Sequence, residues 1–124
     1  MYAEAQMRKD GATNINTSKN GNEKSLGYVN ALRERANNGS TSANVSASDV
    51  NLSFILDERA RELHWEGHRR QDLIRFDKYT GGSYNWAWKG NIANGTSLSN
   101  NLNVFPIPSN SIIANPNLTQ NTGY

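Results

Sequence analysis

The densest chemistry in the chain is the charged run Asp57-Glu58-Arg59-Ala60-Arg61-Glu62, which continues through Glu66, Arg69, Arg70, Asp72, Arg75, Asp77 and Lys78. Two uses are open to it. Paired carboxylates can carry acid–base catalysis, or acids and bases can neutralise one another along a helix. Helical spacing sets Asp57 against Arg61, Glu66 against Arg69 and Arg70, and Asp72 against Arg75. Each exposed pair of that kind contributes roughly 0.2–0.5 kcal/mol. The two signs alternate in near balance, and no carboxylate is isolated from a cation so as to raise its pKa. A salt-bridged helix surface is therefore favoured over catalysis.

His64-Trp65-Glu66-Gly67-His68 offers two histidines four apart, the spacing with which one helix face can hold a metal. In the zinc-protease pattern the Glu directly follows the first His on an unbroken helix. Here Trp65 intervenes, Gly67 sits inside the pair, and no Cys is present to complete a ligand set. No metal and no cofactor are expected, and packing or hydrogen bonding is the expected role of both histidines. Neither a G-x-S-x-G turn nor a phosphate loop occurs.

Tyr84, Trp86 and Trp88 alternate with Asn85 and Ala87, so an extended backbone would project all three rings from one side. Flat apolar ring faces flanked by Asn side chains suit the stacking of a sugar. The alternative is that the rings bury over the helices as a satellite core, Trp88 more completely than Trp86.

The elements that must position these residues are mostly helical. Strong helix formers predict a short helix over Met1 to Lys9, stopped at Asp10-Gly11. Gly11 to Glu23 reads as a loop. Leu26, Val29, Leu32 and Ala36 predict one apolar face of a helix over Lys24 to Ala36, closed by Asn38-Gly39. Ser46-Ala47-Ser48-Asp49 fits a capping box. It predicts that the longest helix spans about residues 47–76, with Leu52, Leu56, Ala60 and Leu63 as its stripe and Gly67 as its weak point. From Thr80 to the end the chain is rich in loops, with short strand pairing open over 81–103. Phe105-Pro106-Ile107-Pro108 must be extended, and Ser109 is placed to cap a short turn that Asn115-Pro116 ends.

The 124 residues fit one modest domain or a piece of a larger one. Thirteen Lys and Arg against eleven Asp and Glu give a net charge of only +2, too small a field to imply nucleic acid. No apolar run is long enough to span a bilayer, and the first ten residues lack the apolar stretch of a signal peptide.

Several segments, in order, resemble the SusD/RagB family. Glu58-Arg59-Ala60-Arg61-Glu62-Leu63, Glu66-Gly67-His68-Arg69-Arg70 and Asp72-Leu73-Ile74-Arg75 match its ER-x-x-EL-x-x-EG-x-R-x-x-DL-x-R signature. Ala3-Glu4-Ala5 and Asn30-Ala31-Leu32-Arg33-Glu34-Arg35-Ala36 resemble its upstream helices. Trp88-Lys89-Gly90, Phe105-Pro106-Ile107-Pro108, Asn115-Pro116-Asn117-Leu118, Gln120-Asn121 and Gly123-Tyr124 follow its closing order. Thr122 departs from the usual Pro, and family members are several times longer.

The resemblance covers 1–124 and implies the C-terminal portion of such a protein. The implied fold is mainly α, SusD-like, with tetratricopeptide-type helix pairs and a loop-rich C-terminal region. The implied role is a binding module, not an enzyme. It would hold an oligosaccharide or other nutrient at the external face of the outer membrane and partner a SusC-like TonB-dependent transporter, with signal and lipid anchor upstream of Met1. The alternative is a helical-repeat scaffold with no ligand site of its own. The resemblance implies that ligand contacts come largely from parts of such a protein outside this chain. By their chemistry Glu58, Arg59, Glu62, Glu66, Arg69, Asp72 and Arg75 are structural, and the ring alternation makes Tyr84 and Trp86 the candidate ligand contacts.

Overall fold

A computed structural model describes residues 1–9 and 22–124, and over them the chain is mainly helical with no β-strand. The helices are α1 (Tyr2–Lys9), α2 (Asn22–Ala36), α3 (Leu52–Glu62), α4 (Arg69–Arg75) and α5 (Ser109–Ala114). The helix stop expected at Asp10-Gly11 lies outside the described residues, as does most of the loop expected over Gly11 to Glu23, whose last two positions open α2. Packing separates the chain into two units, residues 1–66 and 67–124.

In the first unit, Ala3 and Met7 lie one turn apart and are both buried, so α1 presents one apolar edge to α2. Glu4 is buried beside them and accepts a 2.8 Å bond from Arg8 Nε, which compensates its charge. On α2 the buried row is Ser25 and Val29, continued by half-buried Arg33. The expected face is thus rotated: Leu32 and Ala36 are exposed and only Val29 is buried. Arg33 explains the rotation, because its guanidinium turns inward to reach α3. Asn38 and Gly39 close α2 in left-handed conformations, and the Gly39 N–H bonds back to the Glu34 carbonyl at 2.7 Å.

The single helix expected over 47–76 is two helices. Ser46 to Asp49 forms a turn in which the Asp49 carboxylate accepts from the Ser46 hydroxyl at 2.6 Å and from its N–H at 3.1 Å. These two bonds, the hydroxyl first, hold the Asp49 carboxyl below its usual pKa. The Ser46 hydroxyl is thereby spent on the carboxylate instead of on a helical N–H. Val50 is buried next, and the extended Asn51 becomes the true cap, its Oδ1 accepting from Phe54 N at 2.9 Å. At the other end α3 stops at Leu63, Trp65 and Gly67 both adopt positive φ, and α4 begins only at Arg69. A helix cannot pass through two left-handed residues. Of the expected stripe only Leu56 is fully buried, at 2% exposure, with Ile55 beside it.

In the second unit α4 buries Asp72 and Leu73, and the Leu73 carbonyl accepts from both Lys78 N and Tyr79 N to end the helix. The strand pairing open over 81–103 shrinks to one antiparallel bridge, Gly81 with Leu98. The Phe105 to Pro108 segment lies outside any helix, and Pro108 has φ −55° and ψ 137°. Its lone N–H between the two prolines, on Ile107, donates to Gln120 Oε1 at 2.8 Å, while Gln120 Nε2 returns a bond to the Ile107 carbonyl at 2.9 Å. A side-chain amide thus replaces the strand partner that proline forbids. Pro108, not Ser109, occupies the cap position of α5.

Because Leu56 is enclosed and Leu63 half-exposed, Leu56→Ala is expected to lower the unfolding free energy by about 2–5 kcal/mol. Leu63→Ala should cost clearly less. Denaturant melts of both variants check the pair, and equal losses would contradict this core.

Candidate functional site

The signature charges act as struts. In the first unit Arg33 Nη1 donates to both Glu58 oxygens, at 3.1 and 2.9 Å, and Arg33 Nε donates to the Ala43 carbonyl at 2.5 Å. Arg61, which the spacing sets against Asp57, closes on the same Glu58 carboxylate at 2.6 and 2.9 Å. Both guanidinium groups lie within 6 Å of the Phe54 ring, at 5.9 and 5.8 Å. Arg35 pairs with Glu62. Arg59 is half-buried on α3, and Glu66 is exposed in the turn after it. The broken helix removes the spacing that set Glu66 against Arg69 and Arg70.

His64 and His68 flank the same break. The His64 ring meets Trp65 edge-on at 5.7 Å, and Trp65 itself is 93% exposed. Among the described residues no three His, Cys, Asp or Glu side chains gather as a metal site.

In the second unit Arg75 bonds Asp72 at 2.9 Å, as the spacing expects. Arg69 leaves the helix surface and donates to the Tyr84 hydroxyl at 2.9 Å, its guanidinium carbon 5.8 Å from the Tyr84 ring centre. Arg70 donates to the Leu102 carbonyl at 2.7 Å and lies over Tyr79 at 5.1 Å and Phe105 at 4.0 Å. These arginines tie α4 to the loops that carry the aromatic residues.

Tyr84 and Trp86 do come together, with ring centres 6.1 Å apart and planes at 55°. Trp88 does not join them. Its φ of 69° ends the extended alternation, and it is the more exposed tryptophan, 67% against 39% for Trp86, the reverse of the expected burial order. The cause is the turn it opens: Lys89 N bonds the Trp86 carbonyl at 3.1 Å and Thr96 N bonds the Lys89 carbonyl at 3.1 Å. Gly95 sits against this turn at φ 74°, where a Cβ would strike the Trp86 carbonyl oxygen.

Lys89 is the residue that sequence reasoning missed. Its side chain is 1% exposed, its Nζ donates to the Tyr84 carbonyl at 2.7 Å and the Gly81 carbonyl at 3.3 Å, and it lies 5.0 Å from the centre of the Trp86 ring. One signal was present: no Asp or Glu follows Asp77, so a buried cation in this region has only carbonyl oxygens to turn to. Ammonium, carbonyls and rings together make an aromatic pair with one ring partly open to water and a buried cation 5.0 Å from that ring's centre. Such a surface can stack a sugar face.

The Glu58 carboxylate serves two arginines, and Glu58→Gln should therefore cost about 1–3 kcal/mol of stability. Arg61→Ala, which removes an exposed partner, should cost under about 1 kcal/mol. Thermal melts of the two variants check the order.

The SusD family model matches residues 1–124. The starch-binding protein SusD of Bacteroides thetaiotaomicron is 43% identical over 98 residues, which cover 79% of this chain and 17% of that protein. The chain thus spans about a sixth of the length of this curated relative. With the family model matched from end to end and the signature carried by the struts just described, the chain belongs to the SusD family.

Proposed function

We propose that the chain is part of a glycan-binding protein at the external face of the outer membrane, and that it offers a sugar the paired rings of Tyr84 and Trp86. The observation that carries this is the ring pair itself. Arg69 bonds the Tyr84 hydroxyl and Lys89 lies 5.0 Å from the Trp86 ring centre, while Trp86 keeps 39% of its surface open. A pre-set ring loses little side-chain freedom on stacking, so more of the contact energy appears as affinity. The 43% identical relative is named for binding starch, which supports a glycan as ligand and makes α-glucans the first probe. Family membership also supports a SusC-like TonB-dependent transporter as partner. The reading is of a binder and not an enzyme, because the signature carboxylates Glu58, Glu62 and Asp72 are each engaged by an arginine.

A second reading has its own observation. The signature charges are engaged within the fold, as they would be in a scaffold that leaves recognition to other parts of a longer protein. Titration with malto-oligosaccharides and a wider oligosaccharide panel, followed by tryptophan fluorescence, separates the two. Binding should be weak, and Trp86→Ala should weaken it by at least about fivefold, the equivalent of about 1 kcal/mol of ring contact. Binding that survives Trp86→Ala but disappears with Arg69→Ala in a still-folded protein would overturn the assignment. No response to any sugar would favour the scaffold.

A further inference from the structure

Residues 67–124 carry Arg69, Arg70, Arg75, Lys78 and Lys89 against only Asp72 and Asp77, and Asp72 is bonded to Arg75. Lys89, which touches the aromatic pair, therefore lies in a stretch of sequence poor in carboxylates. For Lys89 the partners are two neutral carbonyl oxygens, of Gly81 and Tyr84. Its charge is solvated by dipoles without being cancelled by an acid. At 1% exposure it is also little screened by salt.

We propose that Lys89 sets the charge preference of the platform, so that sugar chains bearing carboxylates are bound in preference to neutral ones and amino sugars are disfavoured. The inference rests on the reading of Tyr84 and Trp86 as the stacking surface. The ammonium is buried while Trp86 keeps 39% of its surface open, so a sugar can reach the indole only where it is exposed. An indole attracts a cation through the negative face of its π system. With one cation already 5.0 Å from the ring centre, a second on the other side meets like-charge repulsion as well. A stacked ligand stands about 4 Å beyond the ring. At the resulting separation, and at a dielectric between those of protein and water, one unit charge on the ligand changes affinity about five- to tenfold.

The test uses the intact chain carrying Trp65→Phe and Trp88→Phe, both at exposed positions, so that Trp86 is the reporter. The probes are maltotetraose, its C6-carboxylate form and its 6-amino-6-deoxy form, which share one backbone and differ only in charge. The expected order is carboxylate, neutral, amine, with at least about tenfold between the first and last at low salt. Lys89→Gln keeps a donor for the carbonyls and removes the charge, and it should collapse that ratio several-fold. Lys89→Met serves as the second variant. Equal affinities, a preference for the amine, or an unchanged ratio in a folded Lys89→Gln protein would overturn the proposal. If neither variant folds, Arg69→Gln decides: a ratio that survives it belongs to Lys89, and a ratio lost with it does not. Binding of all three probes through Trp86 without charge order refutes the preference alone. Silence of Trp86 toward all three refutes the platform and the preference together.

Discussion

Arg33 reaches from α2 to both oxygens of Glu58 and to the Ala43 carbonyl, and Lys89 reaches the carbonyls of Gly81 and Tyr84. Long cationic side chains thereby do much of the cross-linking that apolar burial does in a larger domain. The need for them is visible in the core. Seven apolar residues are buried among the described residues, and only Leu73 belongs to residues 67–124. A loop-rich region with one enclosed leucine must be held by directional bonds, and those bonds end on backbone carbonyls because carboxylates are scarce there. Gln120 against Ile107, Asn121 against the Phe105 carbonyl and the Tyr124 hydroxyl against the Val104 carbonyl extend the same solution to the tail.

The same economy of apolar packing shapes the candidate site. Rings not consumed by a core remain partly exposed, and the struts that fix the loops also fix the rings. Arg69 links α4 to the Tyr84 hydroxyl, and Lys89 links the Tyr84 backbone to the Trp86 ring. A sugar face can then meet a surface that is already ordered.

Much of this was legible in the residues and some was not. The order of motifs from Ala3-Glu4-Ala5 to Gly123-Tyr124 identified the family, and the helix formers, Asn38-Gly39 and the two prolines at 106 and 108 located most elements within a few residues. The errors share a cause. Local rules extended the third helix through residues 63–68, where Trp65 takes a left-handed conformation that its side chain does not favour. They also placed Leu32 on the buried face of α2, which Arg33 claims through a partner 25 positions away. Trp88 followed the alternation rule until a turn closed by Lys89 and Thr96 overrode it. At Leu32 a long-range ion pair, and at Trp88 a backbone turn, outweighed a propensity worth well under about 1 kcal/mol per residue. Charge complementarity at a distance leaves no periodic trace in a single sequence.

The central claim, that Tyr84 and Trp86 form the sugar-facing surface while the signature charges hold the fold, is most directly tested by nuclear magnetic resonance of the three tryptophan indole N–H groups during addition of maltotetraose. Trp65 and Trp88 are the more exposed pair and serve as internal controls for nonspecific stacking. The account predicts that the Trp86 indole resonance shifts in a saturable way, along with the backbone resonances of Tyr84 and Lys89, while Trp65 and Trp88 stay in place. Saturable shifts confined to Glu58 through Glu66, or to Trp65 and Trp88 with Trp86 unmoved, would contradict it.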